Sequence, residues 1–296
     1  MAITSAYRTR SDALPLRSFK AKGRPSAIAG MGVYAPDKII TNFDLEKMMD
    51  TSDKWITERT GIHTRHIAEP GTTTLSLATK AAQGALAAAG ITAKDVDMIL
   101  VGTSSPDGPF PSIAARIQDE LDAPGAVAWD MLAACTSFMY GLATADSFIA
   151  TERADTVLVV GAEVLSRMLD YSNRGTAVIF GDGAGAAIVR TAPKGSGFLS
   201  WCLGSDGRGY AQVTAGNIEK GAYANKDANP YIEMVGPDVF KFAVDIFIRQ
   251  ANEVCERAGV ALEEAIRKGR VKSGDHVLLA GFGSGLTWGA CLLKWV

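Results

Sequence analysis

The stretch "AWDMLAACTSFMYG", residues 128–141, holds one cysteine, Cys135, between an apolar run that ends at Met131 and a run of small residues. The apolar run predicts a buried strand, and the small residues predict that a helix begins beside the cysteine. Backbone N–H groups and the dipole at a helix N-terminus favour a thiolate and lower the pKa of a thiol there. The stretch therefore predicts a nucleophilic cysteine at a strand-to-helix turn, with a buried, inert thiol as the alternative.

The composition predicts a globular chain with a large apolar core. The 296 residues are 47% apolar with a formal net charge of −2, which suits one large domain or two fused ones. No run of about 18 uncharged apolar residues occurs, so we expect no membrane span. The near-neutral charge gives no face for phosphates, so we expect no nucleic-acid partner. The cysteines lack metal-ligand spacing, which favours a reducing cytoplasm and no metal; they are Cys135, Cys202, Cys255 and Cys291.

The first 26 residues differ from the rest in charge, with six basic residues and a single acid, Asp12. This composition is typical of an organelle transit peptide, of a disordered tail, or of a tail translated from an upstream start codon. We expect residues 1–26 to form a disordered N-terminal extension.

Strand and helix patterns alternate through the remaining chain. "VDMILVGTS" and "TVLVVGAEV" predict buried strands, and "TTTLSLATKAAQGALAAAG" predicts a helix with a threonine start and a glycine stop. "TAVIF" and "GAAIVR", joined by "GDGAG", predict a strand pair. The order is typical of an α/β fold.

A second copy of this order begins at "GFLSWCLGSDG", which divides the chain into halves at residues 27–192 and 193–296. The stretch from Gly90 to Asp155 spans roughly 65 residues, whereas its counterpart from Gly259 to Asp275 spans roughly 16. The second half is therefore short by about 50 residues, near residues 259–262.

Two glycine-rich stretches raise the question of a nucleotide cofactor. "GMGVYA", residues 30–35, has the spacing of a dinucleotide fingerprint, but Pro36 follows where the phosphate-binding helix must begin. "FGDGAGAA", residues 180–187, lacks the Lys-Ser/Thr of a phosphate loop and favours a tight turn. A Rossmann-type oxidoreductase stays open as an alternative.

Six motifs occur in an order and spacing that resemble the β-ketoacyl-acyl carrier protein synthase III family, from about residue 27 to the end. They are "DTSDKWITERTGIHTRHIAEPG", "FPSIAARIQ", "DMLAACTSFMYGLATADSF", "NRGTAVIFGDGAGAAIV", "VFKFAV" and "GFGSGLTWGACLLKW". The resemblance implies a thiolase fold, with five layers in the order αβαβα from two repeated halves, here with an incomplete second half. It also implies a homodimer.

The resemblance further implies a reaction in two steps. A starter acyl group passes from coenzyme A to the cysteine, and decarboxylation of malonyl-acyl carrier protein then gives a carbanion that condenses with the thioester. The product is a β-ketoacyl-acyl carrier protein, which initiates type II fatty acid synthesis. No cofactor is implied, because acyl-CoA and the carrier protein are substrates.

The resemblance implies roles for seven residues. By resemblance, Cys135 is the acylated nucleophile, and the backbone N–H groups of Cys135 and Ser284 form the oxyanion hole. Family positions that bind the adenine nucleotide of coenzyme A match Trp55, Arg59 and Arg174. The remaining matches are Phe110, which closes the acyl pocket across the dimer, and Lys241, which meets the acidic carrier protein.

Two further motifs of the family are missing. The family places a histidine in "PHQAN" and an asparagine in "GNTSAAS", where they donate hydrogen bonds to the malonyl thioester oxygen. None of the three histidines, His63, His66 and His276, matches the catalytic position. Asn252 in "IRQANEV" lies within a helical apolar pattern, which predicts a helix surface.

The missing motifs coincide with the shortened second half, which indicates an internal deletion. The sequence therefore leaves two further hypotheses beside the oxidoreductase. One is a complete condensing enzyme. The other is an acylation-only or non-catalytic relative that pairs with an intact subunit.

Overall fold

Helices and strands alternate through the computed structural model, which describes residues 16–216, 229–261 and 271–296. The α-helices are α1 (Asn42–Leu45), α2 (Asp53–Thr60), α3 (Thr74–Ala89), α4 (Ile113–Glu120), α5 (Ser137–Ala150), α6 (Arg174–Ala177) and α7 (Gly236–Ala258). Short 3-10 helices cover Ala93–Asp95, Ala134–Thr136, Leu165–Met168 and Gly207–Gln212. Thr73 caps α3, and Gly90 ends it with a left-handed φ of 65°, as the threonine start and glycine stop predict.

The first half forms a five-stranded sheet. In spatial order its strands are β2 (Ser26–Tyr34), β8 (Asp182–Thr191), β7 (Thr156–Val164), β5 (Met98–Gly102) and β6 (Val127–Met131). β5 pairs in parallel with both β6 and β7, whereas β8 pairs antiparallel with β2 and β7. The carboxyl ends of the three parallel strands therefore meet at one edge, where α/β proteins commonly place their sites.

The second half contributes three strands to a four-stranded antiparallel sheet. Its order is β1 (Arg17–Lys20), β9 (Gly197–Ser205), β13 (Thr287–Lys294) and β12 (His276–Gly283). Two small antiparallel pairs complete the described strands: β3 (Ile39–Thr41) with β4 (Thr64–His66), and β10 (Val213–Ala215) with β11 (Ile232–Met234).

Three groups of helices cover the two large sheets. α3 and α4 pack on the outer face of the first sheet, α5 lies between the sheets, and α7 packs on the outer face of the second. The buried carboxylate of Asp146 on α5 accepts hydrogen bonds from Ser26 Oγ at 2.7 Å and Trp201 Nε1 at 2.9 Å, which ties α5 to both sheets. These five layers confirm the predicted αβαβα order.

Strand β1 corrects the expectation of a disordered extension over residues 1–26. It pairs with β9 from Arg17 opposite Leu203 to Lys20 opposite Ser200. The hydroxyl of Ser18 also donates to Glu253 of α7. A sheet edge therefore orders a segment whose composition alone suggested disorder; residues 1–15 lie outside the described residues.

Strand β12, strand β2 and helix α7 expose apolar surface. Among the described strands, β12 pairs on one side only. Its sequence, "HVLLAGFG", carries no Lys, Arg, Asp or Glu, although such charges commonly protect an open sheet edge. On β2, the side chain of Val33 is 85% exposed. Exposed apolar side chains on α7 are Phe240, Val244, Phe247 and Ile248. A deletion near residues 259–262 predicts such surface; the deletion itself stays a prediction, since residues 262–270 lie outside the described residues.

The predicted strand "TAVIF", residues 176–180, is wrong. The short helix α6 ends at Ala177, and β8 begins only at Asp182. Ala177 and Val178 are buried in a small cluster with Leu45 and Ile56. Tertiary contacts therefore outweigh the β-propensity of this stretch.

The glycines of "GMGVYA" serve packing. A β-carbon on Gly30 would lie 2.5 Å from the backbone nitrogen of Ala89 on α3, and one on Gly32 would clash with the carbonyl oxygen of Ala81. Both glycines therefore let β2 approach α3 closely. This use removes the reason for reading the stretch as a dinucleotide fingerprint.

We expect Gly32→Ala to lower the free energy of unfolding by about 1–3 kcal/mol, because the added methyl group overpacks the β2–α3 contact. Gly185 of β8, opposite Val33, is a matched control, since a β-carbon there meets nothing within 4 Å. Urea unfolding followed by circular dichroism measures both variants. Equal stability of the two would contradict the packing role.

Candidate active site

Cys135 lies in the 3-10 turn that connects β6 to α5. The turn covers Ala134–Thr136, and α5 begins two residues after the cysteine, at Ser137. Ala134 has a φ of 48°, a left-handed conformation that is uncommon for a residue with a side chain. The thiol is exposed. The sequence-based prediction of a strand-to-helix turn at this cysteine is confirmed.

The hairpin between β12 and β13 packs directly against this turn. A β-carbon on Gly283 would lie 2.8 Å from the backbone nitrogen of Cys135, so only glycine fits. The hydroxyl oxygens of Thr136 and Thr287 lie 2.8 Å apart and share a hydrogen bond. The next hairpin residue, Ser284, donates its hydroxyl to the carbonyl oxygen of Val213. Residues from the second half thus hold the backbone around Cys135.

The pKa of the Cys135 thiol is raised, which corrects the sequence-based expectation. The surrounding protein desolvates the thiolate even though the residue is exposed, and the negative charge of Glu163 disfavours the thiolate further. The backbone N–H of Cys135 acts in the opposite direction but is outweighed. The other cysteines are buried, and burial raises the pKa of Cys202 to about 11. Cys135 is the one exposed thiol among the described residues.

Sequence reasoning missed Glu163, near the carboxyl end of β7. Its Oε1 accepts a hydrogen bond from the backbone nitrogen of Ser104 at 2.7 Å, and its Oε2 accepts one from the hydroxyl of Ser105. Burial raises the pKa of Glu163, although these hydrogen bonds act in the opposite direction. A lone acid at the end of the apolar strand "TVLVVGAEV" is the signal that could have revealed it.

Trp55, Arg59 and Arg174 come together at a second location. Trp55 and Arg59 lie on α2, and Arg174 is the first residue of α6. The guanidinium carbons of Arg59 and Arg174 lie 5.3 Å and 5.0 Å from the centre of a Trp55 ring. Arg174 also donates to the carbonyl oxygen of Asp50 at 2.9 Å. The cluster offers an aromatic ring and two cations, which suit a base and its phosphates.

The two remaining candidate residues lie on different elements. Phe110 is 84% exposed and precedes α4, whose first backbone N–H groups bind the carboxylate of Asp130 on β6. This contact brings Phe110 towards the edge of the sheet that carries Cys135. Lys241 lies on the exposed side of α7, in another layer.

The histidines lie away from the Cys135 turn. His66 Nδ1 is 2.5 Å from the carbonyl oxygen of Pro36, and His63 precedes β4 in a separate small sheet. His276 begins β12 whereas Gly283 ends it, which separates His276 from the turn by about 23 Å at the usual rise of a strand. Asn252 is exposed on α7, as predicted.

Two absences hold for the described residues only. No helix among them is long and apolar enough to cross a membrane. Within the same ranges, no group of three or more His, Cys, Asp or Glu side chains is arranged to hold a metal ion.

Comparison with known proteins identifies the family. A family model for 3-oxoacyl-(acyl-carrier-protein) synthase III matches residues 129–207, and the model of its C-terminal region matches residues 232–295. A β-ketoacyl-(acyl-carrier-protein) synthase III from Desulfitobacterium hafniense is 40% identical over 321 residues, which cover 90% of this chain and 97% of the relative. The chain belongs to the β-ketoacyl-acyl carrier protein synthase III family.

Other synthase III proteins agree in sequence and in fold. The relative from Caldanaerobacter subterraneus is 41% identical over 323 residues, covering 91% of this chain and 98% of its own. Crystal structures of synthase III from Aquifex aeolicus and Thermus thermophilus superpose with TM-scores of 0.77 and 0.83, at 36% and 34% identity. Each covers 91% of this chain, and 100% and 99% of the respective structures are matched. The predicted thiolase-like synthase III fold is confirmed.

We expect alkylation of Cys135 by iodoacetamide to accelerate with pH and to level off at higher pH than for an ordinary thiol, because the raised pKa of Cys135 disfavours its thiolate. Glu163→Gln removes a negative charge that disfavours the thiolate, so the profile should move to lower pH. Peptide mass spectrometry over time measures the rate at Cys135. A wild-type rate that levels off below neutral pH would contradict this electrostatic account.

Proposed function

We propose that this chain is an acyltransferase of the synthase III type, in which Cys135 takes a starter acyl group from acyl-CoA. The observation that carries the proposal is the contact between the Gly283 hairpin and the Cys135 turn. It supports an oxyanion hole made by the backbone N–H groups of Cys135 and Ser284, next to the sulfur that attacks the thioester carbonyl.

The cluster of Trp55, Arg59 and Arg174 supports coenzyme A as the acyl donor. A half-buried indole beside two guanidinium groups can stack on adenine while the cations pair with phosphates. Lys241, a cation on the exposed side of α7, remains our proposed contact for an acidic carrier protein.

Decarboxylative condensation with malonyl-acyl carrier protein is the second step of the proposed reaction, in the initiation of type II fatty acid synthesis. The enolate that forms from malonate needs hydrogen-bond donors, and each missing donor typically costs about 3–4 kcal/mol. Alignments over 321 and 323 residues, longer than the 296 residues of this chain, support the proposed deletion of the segment that carries those donors.

A second candidate function is an acylation-only subunit that pairs with an intact synthase. It is favoured by the open edge of β12 and by the position of His276, at the far end of that strand from Cys135. In either case we expect acyl transfer to be faster than condensation.

We also propose a cytoplasmic homodimer that forms along β6. β6 is an edge strand of the first sheet, and Leu132, the next residue after it, is 80% exposed. Val127 and Phe110 are exposed as well, so an apolar band follows this edge, as in an interface between subunits.

The four free cysteines suit a reducing compartment.

Incubation with acetyl-CoA should add one acetyl mass to a peptide that contains Cys135, and addition of malonyl-acyl carrier protein should give little ketoacyl product. The first step needs only the thiol and its backbone donors, whereas the second develops charge where the family's histidine and asparagine are missing. Intact-protein and peptide mass spectrometry follow acylation, and product chromatography follows condensation.

Cys135→Ala should abolish this label, whereas Cys202→Ala, which alters a buried thiol, should keep it. Labelling of another cysteine would remove Cys135 as the nucleophile. Condensation as fast as acyl transfer, without an added subunit, would show that another group replaces the missing pair.

Arg59→Ala and Arg174→Ala should each weaken coenzyme A binding by about 1–3 kcal/mol, because each removes a charge-assisted contact. Lys54→Ala removes a cation from the same helix α2 without touching the Trp55 cluster and serves as the control. Calorimetric titration measures the three affinities. Unchanged affinity in both arginine variants would exclude this coenzyme A site.

Leu132→Glu should convert the homodimer to monomers, because it places a charge in the apolar band along β6. Val33→Glu alters an equally exposed apolar residue on β2, at the opposite edge of the sheet, and should leave the dimer intact. Sedimentation velocity distinguishes the two states. A Leu132→Glu dimer as stable as the wild type would rule out this interface.

A further inference from the structure

Glu163 and Cys135 emerge at the same edge of the first sheet. In the parallel register, Gly102 lies opposite both Met131 of β6 and Gly161 of β7. Cys135 follows Met131 by four residues, and Glu163 follows Gly161 by two. Both residues therefore lie at the carboxyl end of the parallel strands, one on each side of β5.

The start of α5 packs closely onto this edge. A β-carbon on Gly102 would lie 2.5 Å from the β-carbon of Ser137, and one on Gly161 would lie 3.4 Å from the ring of Phe138. Since the cysteine turn directly precedes Ser137, this contact brings it over β5 and β7. The electrostatic effect of Glu163 on the thiol agrees with this placement.

Hydrogen bonds anchor the carboxylate of Glu163 at the end of β7. It accepts bonds from the Ser104 backbone and the Ser105 hydroxyl, and Thr103 Oγ1 lies 3.5 Å from Oε2. The Ser104 side chain and the Ser105 backbone also hydrogen-bond to it. The side chain is half-buried, within reach of solvent. Burial also raises its pKa, which makes it a stronger base than an exposed carboxylate.

We propose that this chain also hydrolyses short acyl-CoA thioesters, with Cys135 as the nucleophile and Glu163 as the base that activates water. The inference rests on the proposed acylation of Cys135. It concerns what becomes of the acyl group when condensation is slow.

Hydrolysis proceeds in two balanced steps. The Cys135 thiolate attacks the acyl-CoA carbonyl, the carbon–sulfur bond to coenzyme A breaks, and coenzyme A leaves as a thiolate that takes up the proton released by the cysteine. Glu163 then removes a proton from water as its oxygen attacks the acyl-cysteine carbonyl. The bond to the cysteine sulfur breaks, and the sulfur is reprotonated through Glu163. The products are a carboxylic acid and free coenzyme A.

Exposure of Cys135 gives water access to the intermediate. Closed active sites exclude water and so protect reactive thioesters from hydrolysis. Here Cys135 is exposed. An acyl group on Cys135 therefore meets solvent at the same edge of the sheet as Glu163.

The test mixes the purified full chain with acetyl-CoA alone and follows free coenzyme A with a thiol reagent and acetate by chromatography. We expect a burst of one coenzyme A per chain, followed by steady turnover that yields acetate. Glu163→Gln should keep the burst and lower the steady rate about 100-fold or more, as for loss of a general base. Glu120→Gln, which alters a glutamate that likewise accepts a hydroxyl hydrogen bond but lies at the far end of α4, should change neither phase.

Hydroxylamine separates water activation from folding. It attacks a thioester without a base, so it should restore turnover in Glu163→Gln and give acetohydroxamate; Cys135→Ala measures its direct reaction with acetyl-CoA. A wild-type burst without turnover would overturn the hydrolysis and leave acyl transfer intact. Equal turnover in Glu163→Gln, or no rescue by hydroxylamine, would remove Glu163 as the base. No burst in the wild type would overturn the proposed function itself.

Discussion

The site depends on the close approach of Gly283 to the backbone nitrogen of Cys135, where no side chain fits. This contact joins the two halves at the proposed nucleophile: one half supplies the turn and α5, and the other supplies the hairpin. The bond between Thr136 and Thr287 fixes the same contact on one side. At the other end of α5, Asp146 binds both sheets. The position of Cys135 therefore depends on the second half, even though that half is short.

This dependence explains why acyl transfer and condensation separate in our account. Acylation uses the thiol and backbone donors, which the contact between the halves holds in place. Condensation needs donors from a region for which the chain has no matching motif. The two steps differ in where charge develops, so the proposed deletion in the second half would affect them unequally.

The sequence was most informative where local signals and burial agree. Thr73 and Gly90 predicted the ends of α3, and the helical apolar pattern through "IRQANEV" predicted α7, although Phe240, Val244 and Phe247 of that pattern are exposed. "TAVIF" misled because its β-branched residues pack in a tertiary cluster that a local pattern cannot reveal. Strand β1 was not predicted for a similar reason, since its partner β9 lies roughly 180 residues away in the sequence.

The candidate site was predictable in its residues but less so in its electrostatics. Family motifs indicated Cys135 and the Trp55 cluster. Glu163 belongs to no such motif, and its effect on the thiol depends on the register of three strands. The charge of Glu163 and the surrounding protein raise the pKa of the thiol, whereas the sequence predicted a lowered pKa. Such an effect depends on distances between strands, which no short stretch of sequence contains.

The pairing of β9 bears on how the chain is made. One of its neighbours, β1, comes from the beginning of the chain, and the other, β13, ends two residues before the last residue. During synthesis the first sheet can close as soon as β8 has emerged, but the second sheet must wait for the final strand. Contacts of such long sequence separation form slowly. Until β13 is added, β9 and β1 form a two-stranded ribbon with an unpaired edge, which is open to pairing with another chain.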